Sequence, residues 1–507
     1  MRLPSRGAPP GSVAGPVARI RPGVPAGSVA GSAPDPRGAV VGMLAAMPPS
    51  PSIRPQGAEP PIRDRGDACP GALRLHSAAD GHLARVRLPA GNLTVRQATA
   101  LADAADLLGD GHLSLTSRGN AELRGLADDC GARLAGLLRD AGLLPSERHE
   151  RIRNILASPL AGLDHHTPAD VRLWARELDT LLCTNESATA LSGRFLFVLD
   201  DGRGDVAALG GDVTLVAESG GGPASGGPAG PGGGALLRVG DDPAALRIAG
   251  ADVPRAALAA AACFLTSAGA SGSGAWRVRE LPDGYGLAAH AVADGLRAAG
   301  IAAEYVADDP RAAVIESAYA DSSAPGIIEG PDDRRALSVL APLGRLTVAQ
   351  WRLLTAIAAD DGSGELRLTP WRGIVIPKLP ATAAAHRLRE LAAAGLITDP
   401  ASPWHRISAC TGRPGCAKSR TDVRADAAAA VAQGTPAPGE LPVKDLPLQG
   451  LHKGLPVHWS GCERRCGHPH GTWVDVLATA EGYRTSVVRD EAHPTAPAPV
   501  PAPHPTS

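Results

Sequence analysis

Apolar and polar positions change period repeatedly along this chain, and two of those changes match each other. From Leu93-Thr94-Val95-Arg96-Gln97 an alanine-rich run to Leu108 repeats apolar residues every three to four positions, the spacing of a helix with one buried face. The pattern then alternates through Leu113-Ser-Leu-Thr-Ser-Arg118-Gly, as a strand does. The same succession returns 253 residues later. Leu346-Thr347-Val348-Ala349-Gln350 opens a second helical pattern, and Leu366-Arg-Leu-Thr-Pro-Trp-Arg372-Gly follows it, with one residue inserted before Arg372. So long a period excludes a stacked solenoid and implies two related halves about a pseudo-twofold axis, with a site between them. Thr94 and Thr347 stand where N-caps belong, since a hydroxyl there satisfies an orphan helix N–H. Each strand runs into an arginine and a glycine, which reads as a symmetric cationic clamp; a solvated surface arginine is the plainer alternative. Leu287–Ala299 predicts a further helix followed by a strand.

These patterns fill the chain between compositionally different stretches. Residues 1–65 are rich in Pro, Gly, Ala and Ser and bury too little apolar surface to offset their ordering entropy, so they read as disordered. Met43 and Met47 are alternative starts. The glycine-rich 219–234 reads as a flexible surface loop, and 491–507 as a disordered tail. Between them the expected divisions are a half-module at 66–145, an α/β domain at 146–329, a second half-module at 330–398 and a cysteine-bearing domain at 399–490. No apolar run reads as bilayer-spanning and no signal-peptide core precedes the fold, so the expected compartment is cytoplasmic. With a net charge of −2, nothing points to bulk nucleic-acid or membrane-surface binding. Only four lysines occur against many arginines, which a GC-rich codon bias explains in large part.

Cysteine usage adds the chemistry. Four of eight cysteines fall in two short glycine-flanked loops, Cys410-x5-Cys416 and Cys462-x3-Cys466. In a reducing compartment four such thiols serve metal or cluster ligation rather than disulfides. The gaps suit a four-thiolate [4Fe–4S] cubane better than structural zinc, whose cysteine pairs are usually tighter. His458, His468 and His470 keep a Cys/His zinc site open.

These loops, preceded by the two half-repeats, resemble the nitrite/sulfite reductase superfamily, over about residues 67–490. Arg85-Val-Arg87-Leu-Pro-Ala-Gly91 resembles the family's first strand, Thr116-Ser-Arg118-Gly-Asn120-Ala-Glu-Leu-Arg124-Gly its tetrapyrrole-contacting strand, and Arg153-Asn154-Ile155 its Arg-Asn-Val segment. The resemblance implies an α+β fold of two pseudo-twofold-related halves, each a ferredoxin-like half-module plus a nitrite/sulfite-reductase-type α/β domain. It implies that Cys410, Cys416, Cys462 and Cys466 hold a 4Fe-4S cluster. Arg87, Arg118, Arg124, Arg153, Asn154, Arg194 and Arg372 would bind the tetrapyrrole, because guanidiniums pair bidentately with its carboxylates.

Within the superfamily, Arg65-Gly-Asp-Ala-Cys69-Pro-Gly and Ser460-Gly-Cys462-x3-Cys466 resemble the precorrin-3B synthase branch. The reductases place two lysines at i and i+2 on one strand for their anion; here Arg194 and Leu196 stand there, one cation short. The branch implies a monooxygenase of aerobic cobalamin synthesis. Its substrate would be precorrin-3A, hydroxylated at C20 with closure of a γ-lactone. Its partners would be oxygen and an electron donor, NADH or NADPH, directly or through a redox protein, with no nucleic acid and no membrane. A non-haem iron would activate oxygen, with catalytic residues unassigned. Sirohaem belongs to the alternative, a sulfite or nitrite reductase.

Overall fold

A computed structural model of the chain describes residues 67, 69–166, 170–218, 233–307, 322–434, 455–469 and 471–489. The expected disordered ends, most of the glycine-rich loop and His470 lie outside the described residues.

The helix read from the sequence forms at Val95–Leu108, and its repeat at Val348–Asp360. Both begin with a capping box: Thr94 accepts from the Gln97 N–H and Thr347 from the Gln350 N–H, while each glutamine side chain accepts from the threonine's own N–H. The helix at Leu287–Ala299 forms over Ala289–Ala298.

Two five-stranded sheets carry the repeat, and each borrows a strand from the other half. The first runs His76–Ala78, Gly81–Val86, Ala121–Leu126, His112–Leu115 and then Arg345–Thr347; the second runs Gly326–Glu329, Arg334–Leu340, Gly373–Pro380, Glu365–Leu368 and then Asn92–Thr94. The exchange obeys the 253-residue period: Leu346 pairs with Leu113 and Leu93 with Leu366. Val348 N–H donates to Gly111 O and Val95 N–H to Gly364 O, both at 3.0 Å. One continuous core lies beneath both sheets and contains Leu101, Leu113, Leu123, Trp351, Leu354 and Leu366. Gly91, at φ 67°, marks the seam; a Cβ there would sit 2.1 Å from Leu368 O in the other half.

The repeat is in strict register through the turns. Thr116 N–H donates to Asn120 O and Thr369 N–H to Gly373 O, so no residue is inserted. Gly119 (φ 65°) and Arg372 (φ 60°) occupy the same turn position. This corrects the clamp read from the sequence. The strands end at Leu115 and Leu368, and Arg118 and Arg372 are not symmetry equivalents.

Two further sheets complete the described fold. A six-stranded sheet orders Ala303–Val306, Ala245–Ala249, Gly234–Val239, Val213–Glu218, Phe197–Asp200 and Ile155–Ala157. The helix Val253–Ser271 packs on it through Val253, Ala257, Ala261 and Phe264. With its preceding turn it spans 22 residues at mean hydropathy 1.3, long and apolar enough to cross a bilayer, contrary to the sequence reading. Its packed face accounts for that composition. The last sheet orders Ile407–Ala409, Val457–Ser460, Trp473–Ala478 and Tyr483–Val488; its first three strands are parallel.

Candidate functional site

Parallel strands end on the same edge of a sheet, and this brings the two cysteine loops together. Ile407–Ala409 and Val457–Ser460 pair in register, Ala409 opposite Trp459; Cys410 follows its strand directly and Cys462 comes one residue after its own, beyond Gly461. Cys410 N–H continues the ladder to Trp459 O at 3.0 Å, and Gly461 N–H points at Cys410 Sγ at 3.3 Å. The first loop folds back so that Cys416 N–H reaches Gly412 O at 2.8 Å; in the second, Arg465 N–H closes a turn on Cys462 O at 3.1 Å. Glycine is required where the loops touch: a Cβ on Gly461 would lie 1.9 Å from Ser419 Oγ.

None of the four cysteines is in a disulfide. Burial pushes the Cys410 thiol up, and Cys462 and Cys416 are close enough to push it further. Among the described residues, no three Cys or His ligand atoms lie within 4.8 Å of one another. A tetrahedral zinc with Zn–S of about 2.3 Å would hold its sulfurs roughly 3.8 Å apart. Cys410, Cys416 and Cys462, whose charges bear on one another, are soft donors set more widely than a single zinc ion requires. Buried polar atoms without hydrogen-bond partners cluster beside them: His458 Nε2, Ser460 Oγ and Asp475 Oδ1. These residues fit a bulky thiolate-ligated group.

Two of the candidate arginines brace the loops. Arg124 binds Asp80 through two nitrogens at 3.0 and 2.9 Å and donates to Gly415 O at 2.8 Å, beside Cys416. Arg372 donates to Gly467 O at 2.7 Å, beside Cys466. Other candidates serve the protein itself. Arg153 grips Asp179 with two 2.7 Å bonds and Leu143 O with a third. Buried Asn154 donates to Phe195 O at 3.0 Å. Buried Arg87 donates to Arg151 O at 3.1 Å and to Cys69 Sγ at 3.1 Å.

Arg118 differs. Among the described residues its guanidinium has no hydrogen bond or ion pair. Burial, then the nearby guanidiniums of Arg277 and Arg87, bring its pKa down to about 9. It stays charged at neutral pH with donors to spare. Arg194 lies over the Trp276 ring, 5.0 Å from its centroid.

Leu196 corrects the two-cation reading. The strand begins only at Phe197, and Leu196 turns into an apolar cluster with Leu156, Val198, Val206 and Leu209. It never shared an open face with Arg194. The nearby cation comes instead from Arg277, which pairs with Asp212, whose carboxylate also accepts from Leu196 N–H. Sequence reasoning missed Arg277 and Asp212, and took His458 only as a ligand of the alternative zinc site. His458 alone left a signal, a polar residue in the strand feeding Cys462.

Asp200, Asp201 and Asp205 form a buried acidic group. Asp200 caps a turn, accepting from Gly202, Gly204, Val206 and Ala207 N–H. Asp205 accepts from Ser158 Oγ–H at 2.7 Å, but its Oδ2 has no hydrogen bond. Burial, then the charges of Asp200 and Asp201, raise its pKa well above the ordinary carboxylate value. Folded Asp205 thus holds its proton more tightly than the unfolded chain does. Its stabilising contribution is full below roughly pH 4 and is lost as pH rises toward the folded value. Asp205→Asn keeps an acceptor for Ser158 and removes the charge. It is expected to raise the thermal midpoint at pH 8, where about 1–3 kcal/mol is at stake, with the gain shrinking toward pH 4.5. An equal gain at both pH values would contradict the assignment.

Residues 76–135 and 328–394 match the nitrite/sulfite reductase ferredoxin-like half domain, so the chain carries two copies of it, one in each exchanged sheet. A precorrin-3B synthase of Sinorhizobium sp is 36% identical over 156 residues, 31% of this chain and 33% of that protein. The chain thus spans about a third of the length of that relative. Ferredoxin–nitrite reductase of Synechococcus elongatus is 25% identical over 408 residues, 76% of this chain and 74% of that protein. The structure of Mycobacterium tuberculosis NirA protein superposes with a TM-score of 0.55 at 17% identity, over 80% of this chain and 73% of that one, and shows the same fold.

Proposed function

We propose that this protein is an iron–sulfur oxidoreductase of the precorrin-3B synthase type. It would convert precorrin-3A to precorrin-3B by oxygen-dependent hydroxylation and γ-lactone formation in aerobic cobalamin biosynthesis. The observation that carries this reading is the 36% identity to a precorrin-3B synthase, against 25% to the nitrite reductase. The neighbourhood of Arg194 supports it: Leu196 is buried in an apolar cluster and Arg277 is neutralised by Asp212, which leaves a poor site for a small, strongly hydrated anion. The greater span of the nitrite reductase match favours a second reading, a sirohaem-dependent nitrite or sulfite reductase.

In the first reading Cys410, Cys416, Cys462 and Cys466 hold a [4Fe–4S] cluster, and when bound it supplies one-electron transfer. Arg124 and Arg372 fix the carbonyls beside Cys416 and Cys466, so the thiols are positioned before the cluster arrives. Arg118 offers a bidentate donor pair to a peripheral carboxylate of the macrocycle. Arg194, seated on Trp276, presents a second cation on a flat aromatic support.

Anaerobically purified protein, given precorrin-3A, a reductant and then oxygen, is expected to form the hydroxylactone, identified by mass spectrometry. A sirohaem Soret band together with nitrite or sulfite turnover, and no lactone, would establish the second reading instead.

A further inference from the structure

The sheet that feeds the cysteine loops has a counterpart in this chain. Its three parallel strands and antiparallel fourth recur in the six-stranded sheet as Ile155–Ala157, Phe197–Asp200, Val213–Glu218 and Gly234–Val239. Strand pairing sets Leu156, Val198 and Thr214 in one row there, and Ser408, His458 and Asp475 in the matching row here. In the sheet without cysteines the row is covered by apolar contact, Leu156 and Val198 packing with Val206 and Leu209 from beyond the strand. Val206 stands as far beyond Asp200 as Cys466 stands beyond Ser460. Beside the cysteines the same place is polar, and His458 and Asp475 are fully buried. Such a row costs free energy unless its atoms find partners, so its retention calls for one.

The row serves the second cysteine loop. Asp475 accepts from Arg465 Nε–H at 2.6 Å, which holds Arg465 at φ 46°, a backbone conformation that side chains disfavour. Arg372 holds Gly467 O, and His468 stacks on Trp473 with ring centroids 5.2 Å apart. Cys466 lies between these anchors. His458 faces its main chain without closing a hydrogen bond to it, and meets Trp473 edge-on at 5.7 Å. Ser408 Oγ lies 2.8 Å from His458 Nδ1, nearer than its other acceptor, Val457 O at 3.3 Å. With that hydroxyl donating to Nδ1, the ring proton sits on Nε2, where nothing yet receives it.

We infer that His458 is the positioning residue of Cys466, its Nε2–H reserved for the thiolate that Cys466 gives the cluster. The inference deepens the cluster reading above and rests on it. A hydrogen bond to a cluster sulfur stabilises the more negative, reduced state, so its loss lowers the potential.

Anaerobically purified, full-length parent is compared with His458→Leu and His458→Gln. Leucine restores an apolar residue of the kind the related row carries, and glutamine keeps an N–H near the place of Nε2. The readouts are iron and acid-labile sulfide, the cluster's midpoint potential, and the thermal midpoint before and after a chelator strips the iron. His458→Leu is expected to lower the potential by about 59 mV or more, a tenfold fall in the reduced-to-oxidised ratio at fixed ambient potential. His458→Gln should recover part of that shift. Where leucine leaves no cluster to titrate, glutamine should still hold one. Stripped of iron, His458→Leu should melt no lower than the parent, because the donor then has no partner to lose. An unchanged potential in His458→Leu, or glutamine faring no better than leucine, overturns the inference. So does an iron-free His458→Leu that melts well below the iron-free parent, which would make His458 a residue of the core alone. Parent protein without iron and sulfide would sink the cluster reading itself, and this inference with it.

Discussion

Cys410→Ser and Cys466→Ser are each expected to abolish iron and acid-labile sulfide, with loss of the broad visible absorbance of the parent. The cause is chemical and local. A serine hydroxyl does not ionise near neutral pH and is a hard donor where a soft thiolate is needed. The loops give little room for adjustment: Cys410 is locked to Trp459 O by its own N–H, and Gly461 already packs against Ser419. Cys130→Ser and Cys263→Ser, remote in sequence and on other elements, should retain full iron and sulfide. Ferrozine and methylene-blue assays on anaerobically purified protein make the comparison. Full cluster content in Cys466→Ser would refute the ligand assignment, and zinc in place of iron in the parent would restore the Cys/His site that the cysteine spacing left open.

That prediction was available from the sequence because the cysteine spacings are covalent facts, and short-range rules decide much of what surrounds them. The helices and their threonine caps were legible for the same reason, since a Thr-x-x-Gln box and a 3.6-residue period are local signals. The repeat was legible as a period but not as an exchange. Nothing in Leu93 or Leu346 says that each completes the other half's sheet, because strand partners are chosen by tertiary packing. The arginines were the least legible. Arg87, Arg124 and Arg153 look alike in the sequence, yet the structure commits them to Cys69, Asp80 and Asp179 and leaves Arg118 with free donors. A guanidinium reaches carbonyls and carboxylates tens or hundreds of residues away, so its partner is fixed only by the fold; Arg124 and Gly415 are 291 residues apart. Leu196 failed as a marker because alternation was assumed one residue before the strand begins.

The exchange between halves sets the second large expectation. Trp351 is fully buried, and its indole N–H donates to Ala98 O at 2.8 Å. Ala98 is its own equivalent in the repeat, 253 residues earlier. The two symmetry-related helices therefore meet with the largest side chain on one and a small one on the other, and the twofold is broken at that contact. Trp351→Ala is expected to cost about 3–5 kcal/mol from lost burial and the cavity left behind. Trp351→Phe should cost less, losing part of the contact and one hydrogen bond worth about 0.5–1.5 kcal/mol. Ala98→Leu should cost about 1–3 kcal/mol by overfilling the same space. Because Asn92–Thr94 and Arg345–Thr347 lie in each other's sheets, the damage cannot stay in one half. Hydrogen exchange in Trp351→Ala should accelerate together across residues 112–115 and 365–368. Faster exchange confined to one of these strands would show that the halves are stabilised separately and that the exchanged strands do not couple them.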